Sequence, residues 1–140
     1  MAIRYKYYYL APEGEVYCRY AAYTTKEGTI RRKRIKPSYL PYLGKPGWWF
    51  RRIKNPVMCK RGYHVLRPRE LLWWWPGESK YMPRPSVLLA QVEVEGYSGF
   101  HCNKTVWKRM RILRAEGVSS FSEVEAVVAR WEGKPVRCRK

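Results

Sequence analysis

Residues Val57 to Gly77 read V-M-C-K-R-G-Y-H-V-L-R-P-R-E-L-L-W-W-W-P-G, and the rest of the chain is organised around them. Pro56 and Pro76 punctuate the ends. Tyr63 to Leu66 is aromatic and β-branched in character, which suits a pleated strand. Arg67 turns the chain. Pro68 fits the first turn of a helix, where its missing N–H costs nothing. Glu70 to Trp75 then reads as a short helix stopped by Pro76-Gly77. Three successive indoles cannot share one helical face, so at least one has to be partly exposed.

Downstream, Ser86 to Glu95 (S-V-L-L-A-Q-V-E-V-E) is the strongest strand of the chain. Its first half is continuously apolar, as in a central strand. Its second half alternates, with Val92 and Val94 inward and Glu93 and Glu95 outward. Glu78 to Pro85 and Gly96 to Asn103 read as loops. Lys104 to Arg114 fits either a strand or a helix; as a helix, Asn103 caps it and Val106, Met110 and Leu113 make its stripe. Ser120 and Glu123 form a capping box. Phe121, Val124, Val128 and Trp131 share the face of the helix that follows, Gly133 stops it, and the tail from Lys134 to Lys140 is basic.

Upstream, Trp48 to Ile53 reads as a strand and Pro37 to Gly47, rich in proline and glycine, as an irregular loop. Thr29 to Lys36 is either a charged edge strand that deters edge pairing or an arm that contacts phosphates. Met1 to Leu10 and Glu15 to Tyr23 alternate with period two. With the Pro12 to Glu15 turn between them they make a hairpin with aromatic cross-strand pairs. The expected fold is α+β in a single domain, residues 1–140. Its antiparallel sheet packs with the short Trp-rich helix and the C-terminal amphipathic helix.

Composition narrows the function. At 46% hydrophobic the chain can build a core and is not a disordered segment. It has no apolar run near twenty residues, so no membrane span is expected. Met1 to Leu10 lacks the apolar centre of a signal peptide, so a cytoplasmic monomer is expected, in a host cytoplasm if a phage encodes it. The net charge is +18, from 29 Lys and Arg against 11 acids. Such a surface attracts polyanions at long range: nucleic acid first, an acidic protein face second, an anionic membrane third. Every acid is Glu, and Asn and Gln are rare. A hot-growing source has this composition, and so has a GC-rich genome.

The candidate contacts for nucleic acid or another partner are Arg31, Arg32, Lys33 and Arg34; Trp48, Trp49, Arg51, Arg52 and Lys54; Lys60, Arg61, Arg67 and Arg69; Trp73, Trp74 and Trp75; and Lys108, Arg109 and Arg111. Cations bind phosphates, and aromatic faces stack bases at about 1–3 kcal/mol each. Any one Trp taken singly is expected in the core. No signature of an RRM, KH, zinc-finger or helix-turn-helix module occurs. Nor does a Gly-x-Ser-x-Gly elbow or a Walker loop, and the lack of Asp argues against a two-magnesium site. Cys18, Cys59, Cys102 and Cys138 include no Cys-x-x-Cys pair. Cys59, His64, His101 and Cys102 match no usual zinc spacing, so buried structural cysteines are expected, with no metal and no cofactor. His64 reads as a half-buried, satisfied histidine or as a ligand or base.

Cys59-Lys60-Arg61-Gly62-Tyr63-His64, followed by Arg-Pro-Arg-Glu-Leu-Leu-Trp, resembles an uncharacterised domain common in phages and bacteria. That domain has a C-x-x-G-[FY]-H strand, a proline-started helix, and then a strand like Ala90 to Glu95. The resemblance spans about Met58 to Arg114. It implies a phage-linked origin and an extended Lys104 to Arg114, but no established activity. Many members carry a second cysteine just after the histidine, where this chain has Val65 and Leu66. Small basic phage proteins that regulate host RNA polymerase are similar in size and charge. Gly62-Tyr63-His64 with Leu71 to Trp75 also resembles the strand and helix beside the nicotinamide pocket of ADP-ribosyltransferases, which implies His64 with Glu93 or Glu95 as catalytic groups. The expected function is therefore binding, to a host RNA polymerase or directly to RNA or DNA. An NAD-using enzyme is the alternative.

Overall fold

The computed structural model describes residues 2–18, 23–24, 30–31, 33–58, 61–76 and 87–133. In chain order it contains strands β1 (Ala2–Leu10), β2 (Val16–Cys18), β3 (Tyr23–Thr24), β4 (Ile30–Arg31), β5 (Tyr63–Val65), β6 (Val87–His101) and β7 (Lys104–Val118), then one helix, α1 (Phe121–Gly133). Five strands form an antiparallel sheet in the order β2-β1-β6-β7-β5, and β3 pairs with β4 separately. Among the described residues the fold is thus α+β and mostly sheet. No described helix is long and apolar enough to cross a membrane.

The alternation read in β1 sorts its side chains onto two cores. Tyr5, Tyr7 and Tyr9 join the cluster under α1, while Tyr8 and Leu10 join the cluster on the opposite face. β6 is central: Val87 to Val94 are all buried, with β1 on one side and β7 on the other. It runs on through the expected loop to His101. Gly96 (φ 75°) and a register shift between Tyr97 and Gly99 act as bulges that bend the strand rather than end it. Cys102 and Asn103 then form a two-residue turn, both with positive φ, 51° and 58°, the geometry that matches strand twist in a tight hairpin. That turn lays Lys104 to Val118 back along β6, which decides the segment as strand.

Two expected elements are corrected. In place of a helix over Glu70 to Trp75 there is a single 3-10 turn at Pro68–Glu70, and the chain continues as turns to Trp74. Between Pro68 and Pro76 a helix is too short to repay its nucleation. The Glu70 carboxylate instead accepts from the Arg67 backbone N–H at 2.7 Å and from its guanidinium at 2.8 and 3.1 Å. Trp48 to Ile53 is not a strand either. It runs extended beside β7, where the N–H groups of Gly47, Phe50 and Ile53 donate to the carbonyls of Ile112, Met110 and Lys108. A reciprocal ladder does not form.

Beside β2, the Cys18 N–H donates to the Lys33 carbonyl and the Ile35 N–H to the Val16 carbonyl, so residues 33–35 extend that edge. Just past β5, Leu66 exchanges both backbone hydrogen bonds with Tyr5, at 2.7 and 2.8 Å. The curled sheet therefore closes on β1. α1 buries Val124, Val127, Val128 and Trp131. Ser120 Oγ accepts from the Glu123 N–H at 3.2 Å, but the Glu123 carboxylate reaches Ser119, one residue earlier than a capping box requires. The Glu78 to Pro85 loop, Cys59, Cys138 and the basic tail lie outside the described residues.

Candidate nucleic-acid interface

The tryptophans of the sequence pairs and runs part company. On the segment beside β7, Trp48 and Phe50 both meet Tyr39, with ring centroids 6.4 and 4.5 Å away. Trp49, between them, turns the other way and lies over the guanidiniums of Arg109 and Arg111, at 4.0 and 4.8 Å. Those two arginines are held from beneath by β6: Arg109 by Glu95 at 3.3 Å and Arg111 by Glu93 at 3.1 Å. Glu93 was expected to face solvent. It is 1% exposed, because Arg111 pairs with it across the strands and Trp49 covers Arg111.

The run Trp73-Trp74-Trp75 splits three ways. Trp73 is 71% exposed. Trp74 donates its indole N–H to the Asn103 carbonyl at the β6–β7 turn, 2.9 Å, with Lys104 Nζ 5.0 Å from its ring. Trp75 packs edge-on against Tyr7 and Phe121. Beside them the Arg67 guanidinium lies 5.0 Å from the exposed ring of Phe100. The hairpin tip thus gathers Trp74 and the exposed Phe100 with Arg67 and Lys104, and Leu72 and Trp73, just before Trp74 in the chain, are exposed. Of the seven tryptophans, Trp107 and Trp131 are buried, and none of the five candidate ones is.

The cations differ in freedom. Lys33, Arg34, Arg51, Arg52, Lys54, Arg61 and Arg69 are exposed and form no ion pair among the described residues. Arg67, Arg109 and Arg111 are each tied to a glutamate. Lys108 is half-buried, and its side chain fills the space beside Gly96. Arg31 lies in β4, and Arg32 and Lys60 lie outside the described residues.

His64 occupies β5 opposite Val106, on one edge of β7, whereas Glu93 and Glu95 lie on β6 along its other edge. Burial pushes the imidazole down to about 4, and nearby Lys6 and Lys104 add to that, so His64 is neutral at pH 7. Lys6 donates to the His64 carbonyl at 2.6 Å, and burial pushes its amine down to about 8. Cys18 is free and half-buried, and Cys102 is free and exposed at the turn rather than buried. The described residues contain no group of three metal-ligating side chains.

Sequence reasoning missed Phe100, Leu72 and Lys104 as members of these surfaces, and Lys6 as the partner of the His64 carbonyl. Phe100 was hidden because Gly96 to Asn103 reads as a loop. The pairing of Glu93 and Glu95 with Arg111 and Arg109 was open only to a reading that fixed the β6–β7 register. No protein-family model matches this chain, and no curated protein or solved structure matches it.

Proposed function

We propose that the protein is a small, non-enzymatic binding protein for single-stranded nucleic acid, encoded by a phage and acting on its host's nucleic-acid machinery. The observation that carries this reading is the exposure of Trp48 and Trp73, 69% and 71%, in a chain of net charge +18. Leaving a side chain of that size in water forgoes about 2–3 kcal/mol of burial. Phosphate neutralisation by Arg51, Arg52, Lys54, Arg61 and Arg69 supplies affinity without sequence. The exposed rings favour a single strand, whose base faces are free to stack, over a duplex, whose base faces are covered.

A second reading has its own observation. Leu43 is 82% exposed, with φ 49°, at a turn where it neighbours Tyr42. An aliphatic side chain offers nothing to a phosphate, and it fits an apolar pocket on a protein. The partner is then an acidic face of a host enzyme such as RNA polymerase, with the cations steering the encounter.

The test is binding of labelled single-stranded RNA, single-stranded DNA and duplex at a series of salt concentrations, with a pull-down from host lysate with and without nuclease. The proposal expects tighter binding to single strands, and affinity that falls steeply with salt. A stoichiometric protein that survives nuclease, with no affinity for oligonucleotides, overturns it in favour of the second reading.

A further inference from the structure

Where the end of α1 meets the sheet, a cleft of about 330 Å³ opens beside β1. Its apolar walls are Ile3, Pro68, Leu113 and Trp131, and its polar groups belong to Tyr5, Gln91 and Glu132. Those three are linked. Gln91 Nε2 lies 3.4 Å from the Tyr5 hydroxyl oxygen, and that hydroxyl donates to Glu132 Oε1 at 3.4 Å. An amide and a carboxylate therefore flank one phenol. Arg114 sets the direction of the amide: its Nε donates to Gln91 Oε1 at 2.9 Å, which turns the Gln91 NH₂ toward the phenol. The same guanidinium donates to the Trp131 carbonyl at the end of the helix, so sheet and helix are fixed to each other across the cleft. Glu132 is exposed and forms no ion pair among the described residues.

An unpaired carboxylate repels a phosphate backbone, so in a protein that binds such a backbone it has to face hydrogen-bond donors instead. We infer that this cleft takes a guanine base of the bound strand, with Gln91 and Glu132 reading its Watson–Crick edge. Guanine presents an acceptor (O6) and then two adjacent donors (N1–H and the N2 amine). Once an entering base edge displaces the 3.4 Å contacts that both make with the Tyr5 hydroxyl, the cleft presents a donor, the Gln91 NH₂, and then two acceptors, the Glu132 oxygens. Adenine, cytosine and uracil each lack the two adjacent donors, and a carboxylate facing them meets a ring or carbonyl acceptor. The base plane lies against Ile3 and Pro68, the exposed part of the apolar wall that small-ligand clefts generally provide. An arginine side chain also carries paired donors, but the net charge of +18 disfavours a cationic partner.

This inference rests on the nucleic-acid reading above, and the experiment separates the two. The full chain is titrated, at fixed salt, with eight-nucleotide oligouridine and with the same strand carrying one central guanosine, inosine, adenosine or cytidine. The guanosine strand is expected to bind about tenfold tighter than oligouridine, the size of a good two-bond base contact. Inosine, which lacks the N2 amine, retains part of that gain; adenosine and cytidine retain none. Glu132→Gln removes the guanosine preference and leaves oligouridine affinity and the melting temperature unchanged. Glu125→Gln, on the same helix away from the cleft, keeps the preference. Equal affinity for all five strands, or a preference that survives Glu132→Gln, overturns the guanine site while strand binding stands. Displacement of the guanosine strand by N-acetylarginine amide, with no guanosine preference, assigns the cleft to a guanidinium and overturns it too. No binding of any strand overturns the reading on which it rests.

Discussion

Glu93 stands directly opposite Arg111 in the ladder between β6 and β7, and its carboxylate lies 3.1 Å from the guanidinium. The side chains are 1% and 12% exposed. Removing one partner of such a pair strands a charge away from water, which costs about 3–5 kcal/mol for a fully buried pair. We expect Glu93→Ala to destabilise the protein by about 3 kcal/mol in urea denaturation. The double variant with Arg111→Ala should recover part of that loss. Additive losses would show that the two side chains do not act on each other.

The tryptophans separate binding from stability. Trp73→Ala and Trp48→Ala should each weaken single-strand binding about tenfold, as loss of one stacked base does, with little change in melting temperature. Trp75→Ala, which removes the ring packed on Tyr7 and Phe121, should cost about 3 kcal/mol of stability. Thermal melts and anisotropy titrations of the three variants check this. An equal loss of stability in all three would place Trp48 and Trp73 in the core.

Acid acts through His64. Its folded value, pushed down to about 4 by burial and by Lys6 and Lys104, lies below the ordinary 6.5. Between those values the unfolded chain holds a proton that the folded chain lacks. The stability that the neutral imidazole contributes is therefore complete above pH 6.5 and is lost as pH falls towards 4. His64→Gln should flatten the stability profile in that window, seen by denaturation at intervals from pH 4 to 7.

Lys6 carries the same logic to alkaline pH. Its amine is pushed down to about 8 from 10.5 by burial, so the unfolded chain is the more protonated between those values. Stability should rise with pH from about 8 to 10.5 by this group, and Lys6→Met should remove that rise.

Gly47 passes against the backbone of the Pro37–Gly47 loop. A Cβ there would lie 2.1 Å from the Tyr39 carbonyl oxygen. Backbone cannot move aside as a flexible side chain does. Gly47→Ala should cost about 2–3 kcal/mol and loosen Trp48 and Phe50 from Tyr39, which near-ultraviolet circular dichroism would report.

Much of the sheet was legible. The tyrosine alternation of β1 states its two faces, the apolar run of β6 states burial on both sides, and the structure uses both. The helix was legible from Ser120 to Gly133 through its valine stripe. Depth was less legible than direction: alternation put Glu93 on the face away from Val92, but not that an arginine and an indole would bury it. The segment Trp48–Ile53 has strand composition, yet only its N–H groups find backbone partners, while the Arg51 carbonyl accepts from the Tyr63 hydroxyl. The Trp run has helical residues, yet two prolines leave it too little length. The cleft was invisible because Tyr5, Gln91 and Glu132 come from three distant elements, and no local pattern links them.

The pair of bonds between Tyr5 and Leu66 that closes the sheet has a consequence in time. β6 and β7 meet through a two-residue turn and can pair within about 1–10 μs, as hairpins do. The closure brings together segments far apart in the chain, and such contacts form late. The seam is then the last part to zip and the first to open. A substitution there that weakens closure, such as Leu66→Ala, speeds unfolding and leaves the folding rate nearly unchanged. The amides of Tyr5 and Leu66 exchange with solvent before that of Val92 does, so the molecule breathes along one line while its central hairpin stays shut.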